Sequence, residues 1–268
     1  MALHEFRWRI PIKETTGTGS LYRIPIPNAI YDGSLSFPAD IRLVGENGVD
    51  WPFFIQTPGP GTPARILPLK PAPPPDEGSV SEGIQRVYFD VGHRFLPLRT
   101  LSLESSDDSF ARAVKVFGRN HPTNQWRWMA DGGIHRLPGR ERLQIDLNHS
   151  RYRYLKVEVF NYEEPRLAID GAQVGVESQF LITQPAGPGR AHLYFGSSLY
   201  LLPRFELQHR AGKAAIESAQ PAEFGSRQRN PHRLLHEVWA YGRLLGSILL
   251  GAAALFVALV LLKRRRAA

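Results

Sequence analysis

The chain has 268 residues, a formal net charge of +8 and no cysteine. Disulfide frameworks and thiol chemistry are therefore excluded. Four of the eight net charges lie in Lys263-Arg264-Arg265-Arg266, and the other cations are scattered, so a nucleic-acid reader with one basic face is not indicated. Twenty-two prolines, twenty-four glycines and many short apolar runs point to a mainly β protein.

From the N-terminus, Phe6, Trp8, Ile10 and Ile12 alternate with Arg7, Arg9 and Pro11, as in a half-buried strand. Leu21 to Ile26 is a second strand, with Pro25 and Pro27 suited to an edge or a strand end. Ile41 to Val44 and Trp51 to Ile55 flank Glu46-Asn47-Gly48, a hairpin signal. Arg65 to Leu69 is a further strand. Residues 71–83, PAPPPDEGSVSEG, read as an extended linker closing a first region, 1–70.

Residues 84–174 hold short strands at sandwich spacing: Gln85 to Val91, Arg99 to Glu104, Ala113 to Phe117, Trp126 to Met129, Arg142 to Leu147, Tyr152 to Phe160 and Arg166 to Ile169. Turns are predicted at Ser105 to Asp108, Asn120 to Asn124, Asp131-Gly132-Gly133 and Pro138-Gly139. Apolar residues on both faces of Tyr152 to Phe160 predict a central strand. Closing strands follow within 175–210, at Gln179 to Thr183, His192 to Phe195 and Arg204 to Leu207. A small polar stretch, 211–230, reads as a second linker. Asn230 caps a helix with Pro231 at its first position.

That juxtamembrane helix leads, over 231–262, into Leu244 to Leu262, nineteen residues without a charge. At about 1.5 Å per residue this is roughly 28 Å of helix, the thickness of a bilayer's hydrocarbon. Twelve of the nineteen are Leu, Ile, Val or Phe, which favours insertion by about 4 to 7 kcal/mol. Trp239 and Tyr241 precede the span as interfacial aromatics, and Lys263, Arg264, Arg265 and Arg266 follow it in the tail, 263–268. The alternative, a buried core helix, does not account for four cations at its end. The cation-rich tail reads as cytoplasmic and the preceding bulk as exported. MALHEFRWRIPI contains no apolar leader, so an exported head implies a start further upstream or a trimmed chain. A cytosolic head on a tail anchor is the alternative.

Several segments resemble a bacterial envelope family, the domain of unknown function 3999: FRWRIPI, LYRIPIPNAIYD and ADIRLVGENGVDWPFFI, then YFDVGHRFLPLRTLSLE, RYRYLKVEV and HLYFGSSLYLLPRFEL. The resemblance implies an exported β-rich region with a C-terminal membrane helix, hence a single-pass inner-membrane protein with a periplasmic N-terminal domain. The missing leader is a departure from that pattern. Residues 84–174 also look discoidin-like, or galactose-binding-like, through Val114 to Phe117, Asn120 to Trp128 and Arg151 to Val159. The fold expected is two jelly-roll-like β-sandwich units followed by one transmembrane helix. The first region is completed by 175–210 in one arrangement; sequential sandwiches or one merged unit are the alternatives.

Trp126 and Trp128, with His121, Asn124 and Arg127, form the candidate ligand rim, because aromatics beside polar groups stack on sugar rings. The competing reading packs both tryptophans in the core on one face of a strand. Ser105 to Asp108 could offer oxygens to calcium or form an ordinary turn. His232 and His236 lie four apart, with no further ligand in view. Asp90, Asp146, Glu163, Glu164 and Asp170 are the carboxylates from which a glycosidase pair would have to come. No nucleophile elbow, phosphate loop or zinc motif occurs, so no catalytic residue, metal or cofactor is assigned. Gly242 and Gly246, then Ala254 and Ala258, have small-xxx-small spacing for a neighbouring membrane helix. The function expected is a non-enzymatic envelope protein that binds a glycan or a protein partner. The partners expected are the bilayer, a glycan and a multi-pass membrane protein, with no nucleic acid. A tethered carbohydrate-active enzyme and a subunit of an inner-membrane complex are the alternatives.

Overall fold

A computed structural model describes residues 2–13, 20–59, 62–74, 82–187, 189–198 and 205–239. The protein is mainly β. Among the described residues the strands form four sheets, which divide between two sandwich-like units.

The first unit is built from both ends of the chain. Trp8–Lys13 pairs antiparallel with Ala191–Phe195, which pairs in turn with Ile41–Gly45. In the second sheet Phe180–Thr183 lies between Tyr22–Pro25 and Phe53–Gln56. Alternation sets the inward faces: Ile10, Ile12, Tyr22, Ile24, Ile41 and Leu43 are all at most 2% exposed. The Asn-Gly turn closes only a minimal hairpin, which does not extend along the two strands. Ile41–Gly45 and Phe53–Gln56 enter different sheets; next to the turn the chain pairs across a Val44–Asp50 bridge, with bonds from the Gly45 N–H to the Val49 carbonyl and from the Trp51 N–H to the Leu43 carbonyl. Pro52, which lacks an N–H, stands where the chain changes sheet.

The second unit comprises a six-stranded sheet and a four-stranded one. Tyr154–Phe160 is central, between Ile84–Asp90 and Phe110–Arg119. Its Leu155, Val157 and Val159 are fully buried, each stabilising the fold by about 1.5 to 3 kcal/mol. Asp131-Gly132-Gly133 is not a turn. It runs extended inside Arg127–Leu137, with Gly132 opposite Val114, and the chain reverses at Pro138-Gly139, where Gly139 has φ 72°. In the opposing sheet Leu98–Ser105 lies between Gln144–Ser150 and Ile169–Val176. Arg65–Pro68 extends that sheet, and Lys70–Pro71 pairs with Ile84–Asp90.

Residues 205–210 form no strand; Leu207–Arg210 is a helical turn. The stretch read as a polar linker contributes short strands instead. Gln220–Pro221 pairs with Tyr22–Pro25, while Glu223–Phe224 and Gln228–Arg229 pair with Trp8–Lys13. Asn230 then caps the helix over 231–239: its Oδ1 accepts the His232 N–H at 3.1 Å, and its amide donates to the carbonyls of Leu3 and Phe6. No helix among the described residues is long and apolar enough to cross a membrane, and the expected span lies outside them.

Charge and aromatic contacts join the two units. Asp32, on the short helix Asn28–Gly33, meets His93 Nδ1 at 2.8 Å, and its carbonyl accepts from Arg94 at 2.6 Å. Arg151 donates to the Phe95 carbonyl and lies 5.6 Å over the Phe37 ring. Burial lowers the pKa of Arg151 and raises that of the neighbouring Tyr31 hydroxyl.

Candidate functional site

Because Leu155, Val157 and Val159 point into the core, Tyr154, Lys156 and Glu158 point outward. The register aligns them into three rows across three strands. Arg119, Tyr154 and Asp90 form one row; Phe117, Lys156 and Tyr88 the next; Lys115, Glu158 and Arg86 the third. Cations, aromatics and carboxylates therefore alternate on one outward face. Arg86 and Glu158 pair at 3.0 Å, and Lys156 lies 3.6 Å from the same carboxylate.

The loop before Arg127–Leu137 folds over this face. Asn120 fixes it by donating to the Arg151 carbonyl and accepting the Arg153 N–H. The Asn124 N–H closes a turn onto the His121 carbonyl. Trp126 is thereby set beside Tyr88 at 6.0 Å, with the Arg119 guanidinium 4.2 Å over its ring and the Lys156 ammonium at 5.4 Å. Lys156 also lies 4.8 Å over Phe117. Trp126, Arg119 and Pro122 form one wall of a groove of about 520 Å³, Tyr88 and Tyr154 lie within it, and Lys70 to Pro74 form the far wall. The proline run read as a linker thus contributes a rigid side to the groove.

Among the described residues the only carboxylate lining this groove is Asp90. Burial would raise its pKa, but two bonds from Arg153, at 2.8 and 2.9 Å, and one from the Gly92 N–H outweigh burial. The Asp90 carboxyl is held below the ordinary carboxylate range and stays ionised. Arg119 Nε is buried and has no acceptor among the described residues.

The sequence-predicted rim is partly assembled. Trp126 enters the groove half-buried. His121 and Asn124 lie exposed on the overlying loop, where His121 Nδ1 bonds Thr123 Oγ1 at 2.8 Å. Arg127 is exposed, and Trp128 is 59% exposed on the strand. Core packing of both tryptophans is therefore overturned, because a bulge follows Trp128 and the buried positions fall at Met129 and Ala130. Sequence reasoning missed Tyr88, Arg119, Tyr154 and the Asp90–Arg153 pair. The signal for Tyr154 lay in the alternation of Tyr154 to Phe160, whose outward positions are polar or aromatic; Tyr88 and Arg119 join it only through register across the sheet.

The other candidates resolve into structure. Ser105 and Asp107 make a turn in which the Asp107 N–H donates to Ser105 Oγ and Arg136 donates to both carbonyls. His232 faces Tyr194 at 6.3 Å and His236 stacks on His4 at 4.1 Å, so the two do not converge on one metal. No cluster of three or more metal-ligating side chains occurs among the described residues. Asp146 lines a different cavity of about 530 Å³ between the units, with His149, Arg151 and Glu177. His149 there contacts Glu177 at 3.0 Å, and Asp146 accepts the Asn148 N–H at 2.8 Å. Of the membrane set, Trp239 is 70% exposed on the 231–239 helix. Tyr241, Gly242, Gly246, Lys263, Arg264, Arg265 and Arg266 lie outside the described residues.

No protein-family model matches the chain, and no curated protein matches it. Among solved structures it is similar to the C-terminal domain of a chitobiase from Bacteroides fragilis, at 18% identity with a TM-score of 0.28. The likeness covers 35% of this chain and 64% of that one, less than two thirds of its length, and carries no argument about fold or function.

Proposed function

We propose that this chain is a single-pass, membrane-anchored envelope protein whose exported β-sandwich head binds a glycan bearing acidic substituents and does not cleave it. The observation that carries the reading is the groove at Trp126. Aromatic rings offer flat apolar faces to sugar rings, and Arg119 and Lys70 supply cations for carboxylate or sulfate groups. Asp90, tied to Arg153 and ionised, is a poor general acid, and the groove has no second carboxylate among the described residues. Anchoring rests on the nineteen uncharged residues 244–262 and the four cations after them, and the resemblance to the envelope family supports placement at a bacterial inner membrane with the head in the periplasm.

The test is calorimetric titration of the full chain in nanodiscs with oligohexuronates and with matched neutral hexose oligomers. Preferential binding of the acidic series, weakening with added salt, is expected. Binding of neither series, or of both equally at low salt, refutes the acidic-glycan reading. Release of shorter oligomers during incubation refutes the non-catalytic one.

A further inference from the structure

The helix over 231–239 carries four large apolar side chains that the head leaves exposed: Leu234 at 43%, Leu235 at 61%, Val238 at 68% and Trp239 at 70%. At about 100° per residue these four occupy one arc of roughly 140°. His232 and His236 occupy a second arc and meet the head, through Tyr194 and His4. Arg233 and Glu237 occupy a third, pairing with each other at 2.8 Å. The helix is thus divided into a head-facing strip, a charged strip and an apolar strip that no other part of the described residues covers. Its N-terminus is fixed, because the buried Asn230 binds the carbonyls of Leu3 and Phe6.

From this we infer that the 231–239 helix is an interfacial helix, lying in the plane of the bilayer surface with Leu234, Leu235, Val238 and Trp239 among the acyl chains and the head seated on its other side. The inference rests on the anchoring proposed above. The occupant of the apolar arc is lipid because an uncharged run of nineteen residues begins five positions after Trp239, which confines the helix to the membrane surface. An exposed tryptophan beside leucines and valine, with charges on the opposing strip, is the composition that partitions to the interface. A free arc of this kind in water would be a liability for association. Held at the interface, it would fix the head against the membrane instead of leaving it on a loose stalk.

The chain has no cysteine, so single cysteines can be placed at will. Arg233→Cys, Leu234→Cys, Leu235→Cys, Glu237→Cys and Val238→Cys, each in the full chain, are spin-labelled in phosphatidylethanolamine–phosphatidylglycerol nanodiscs. Labels at Leu250→Cys and Ala254→Cys report the span. Collision rates with oxygen, which favours lipid, and with a nickel chelate, which favours water, are compared. The oxygen-to-nickel ratio is expected to be severalfold higher at 234, 235 and 238 than at 233 and 237. If all five sites are water-accessible while 250 and 254 are in lipid, the interfacial helix is wrong and the anchor stands. If 234, 235 and 238 are closed to both reagents, a protein neighbour or a second copy covers the arc and the inference is overturned. If 250 and 254 are also water-accessible, the anchor itself fails and the inference with it.

Discussion

Removing the Trp126 ring separates the groove from the rest of the sheet. Trp126→Ala deletes an aromatic contact with Tyr88 and cation–π contacts with Arg119 and, more distantly, Lys156. Such contacts contribute about 0.5 to 1.5 and about 0.5 to 1 kcal/mol. Trp126 is half-buried on the loop over the sheet's outward face and outside the core, so the fold should lose about 1 to 2 kcal/mol and remain folded at room temperature. An aromatic anchor at the centre of a site is worth about 2 kcal/mol or more to binding, which is roughly thirtyfold in Kd. The control is Trp128→Ala, two positions away but 59% exposed; it should change stability by at most about 0.5 kcal/mol and affinity by less than about threefold. Urea melts give the first quantity, and titration with oligohexuronates gives the second. A folded Trp126→Ala protein that binds within twofold of the parent would refute the groove as the site. A larger loss from Trp128→Ala than from Trp126→Ala would move the ligand to the exposed strand surface.

Arg153→Met leaves Asp90 without its two-pronged partner; with both groups partly in solvent the cost should be about 1 to 2 kcal/mol, read from the urea midpoint. Because Asp90 is held below its ordinary pKa, the pair stabilises the parent above the carboxylate range and loses that contribution as pH falls through it, so the gap between parent and variant should narrow in acid. His192 has a lowered pKa, from burial first and then from Arg9, Arg190 and His232, with Glu46 opposing. The folded protein therefore loses stability as pH drops below about 6.5, where the unfolded chain takes up a proton first; His192→Gln should flatten that limb of the stability–pH curve. At Gly175 a Cβ would come within 2.5 Å of Thr100 Oγ1, so Gly175→Val should cost about 1 to 3 kcal/mol in a thermal melt, and a second change, Thr100→Ala, should recover part of it.

The mainly β character could be read from the sequence because alternation is local. Ile10 and Ile12, or Leu155, Val157 and Val159, reveal a face within one strand. Pairing is not local: the Asn-Gly signal between Ile41 and Trp51 is genuine turn chemistry, but the flanking strands find partners 124 to 154 positions away, at Phe180 to Phe195. Ile169–Val176 was legible only at its first residue, because Gly171 and Gly175 look like punctuation. They are small because the Glu104 carboxylate and the Thr100 hydroxyl occupy the space where a Cβ would sit. Trp126 could be singled out by composition, whereas Tyr88 and Arg119 could not. Their membership depends on register across three strands, which periodicity within each strand does not encode.

The strand pairing also decides what the head can transmit. The second unit, which carries the groove, leaves the first between Phe53–Gln56 and Phe180–Thr183, two strands that are themselves paired. Pull on the groove therefore reaches the first unit through two adjacent strands and through the Asp32–His93 and Asp32–Arg94 contacts. Within the first unit, Trp8–Lys13 is held by Ala191–Phe195 on one side and by Gln228–Arg229 and Glu223–Phe224 on the other. Asn230, bonded to Leu3 and Phe6, places the start of the 231–239 helix against that same strand's N-terminal end. Load arriving from a bound polymer would thus be carried in strand-to-strand hydrogen bonds up to Asn230. Under the function proposed above, a short, capped connection of that kind would suit a tether better than a flexible stalk.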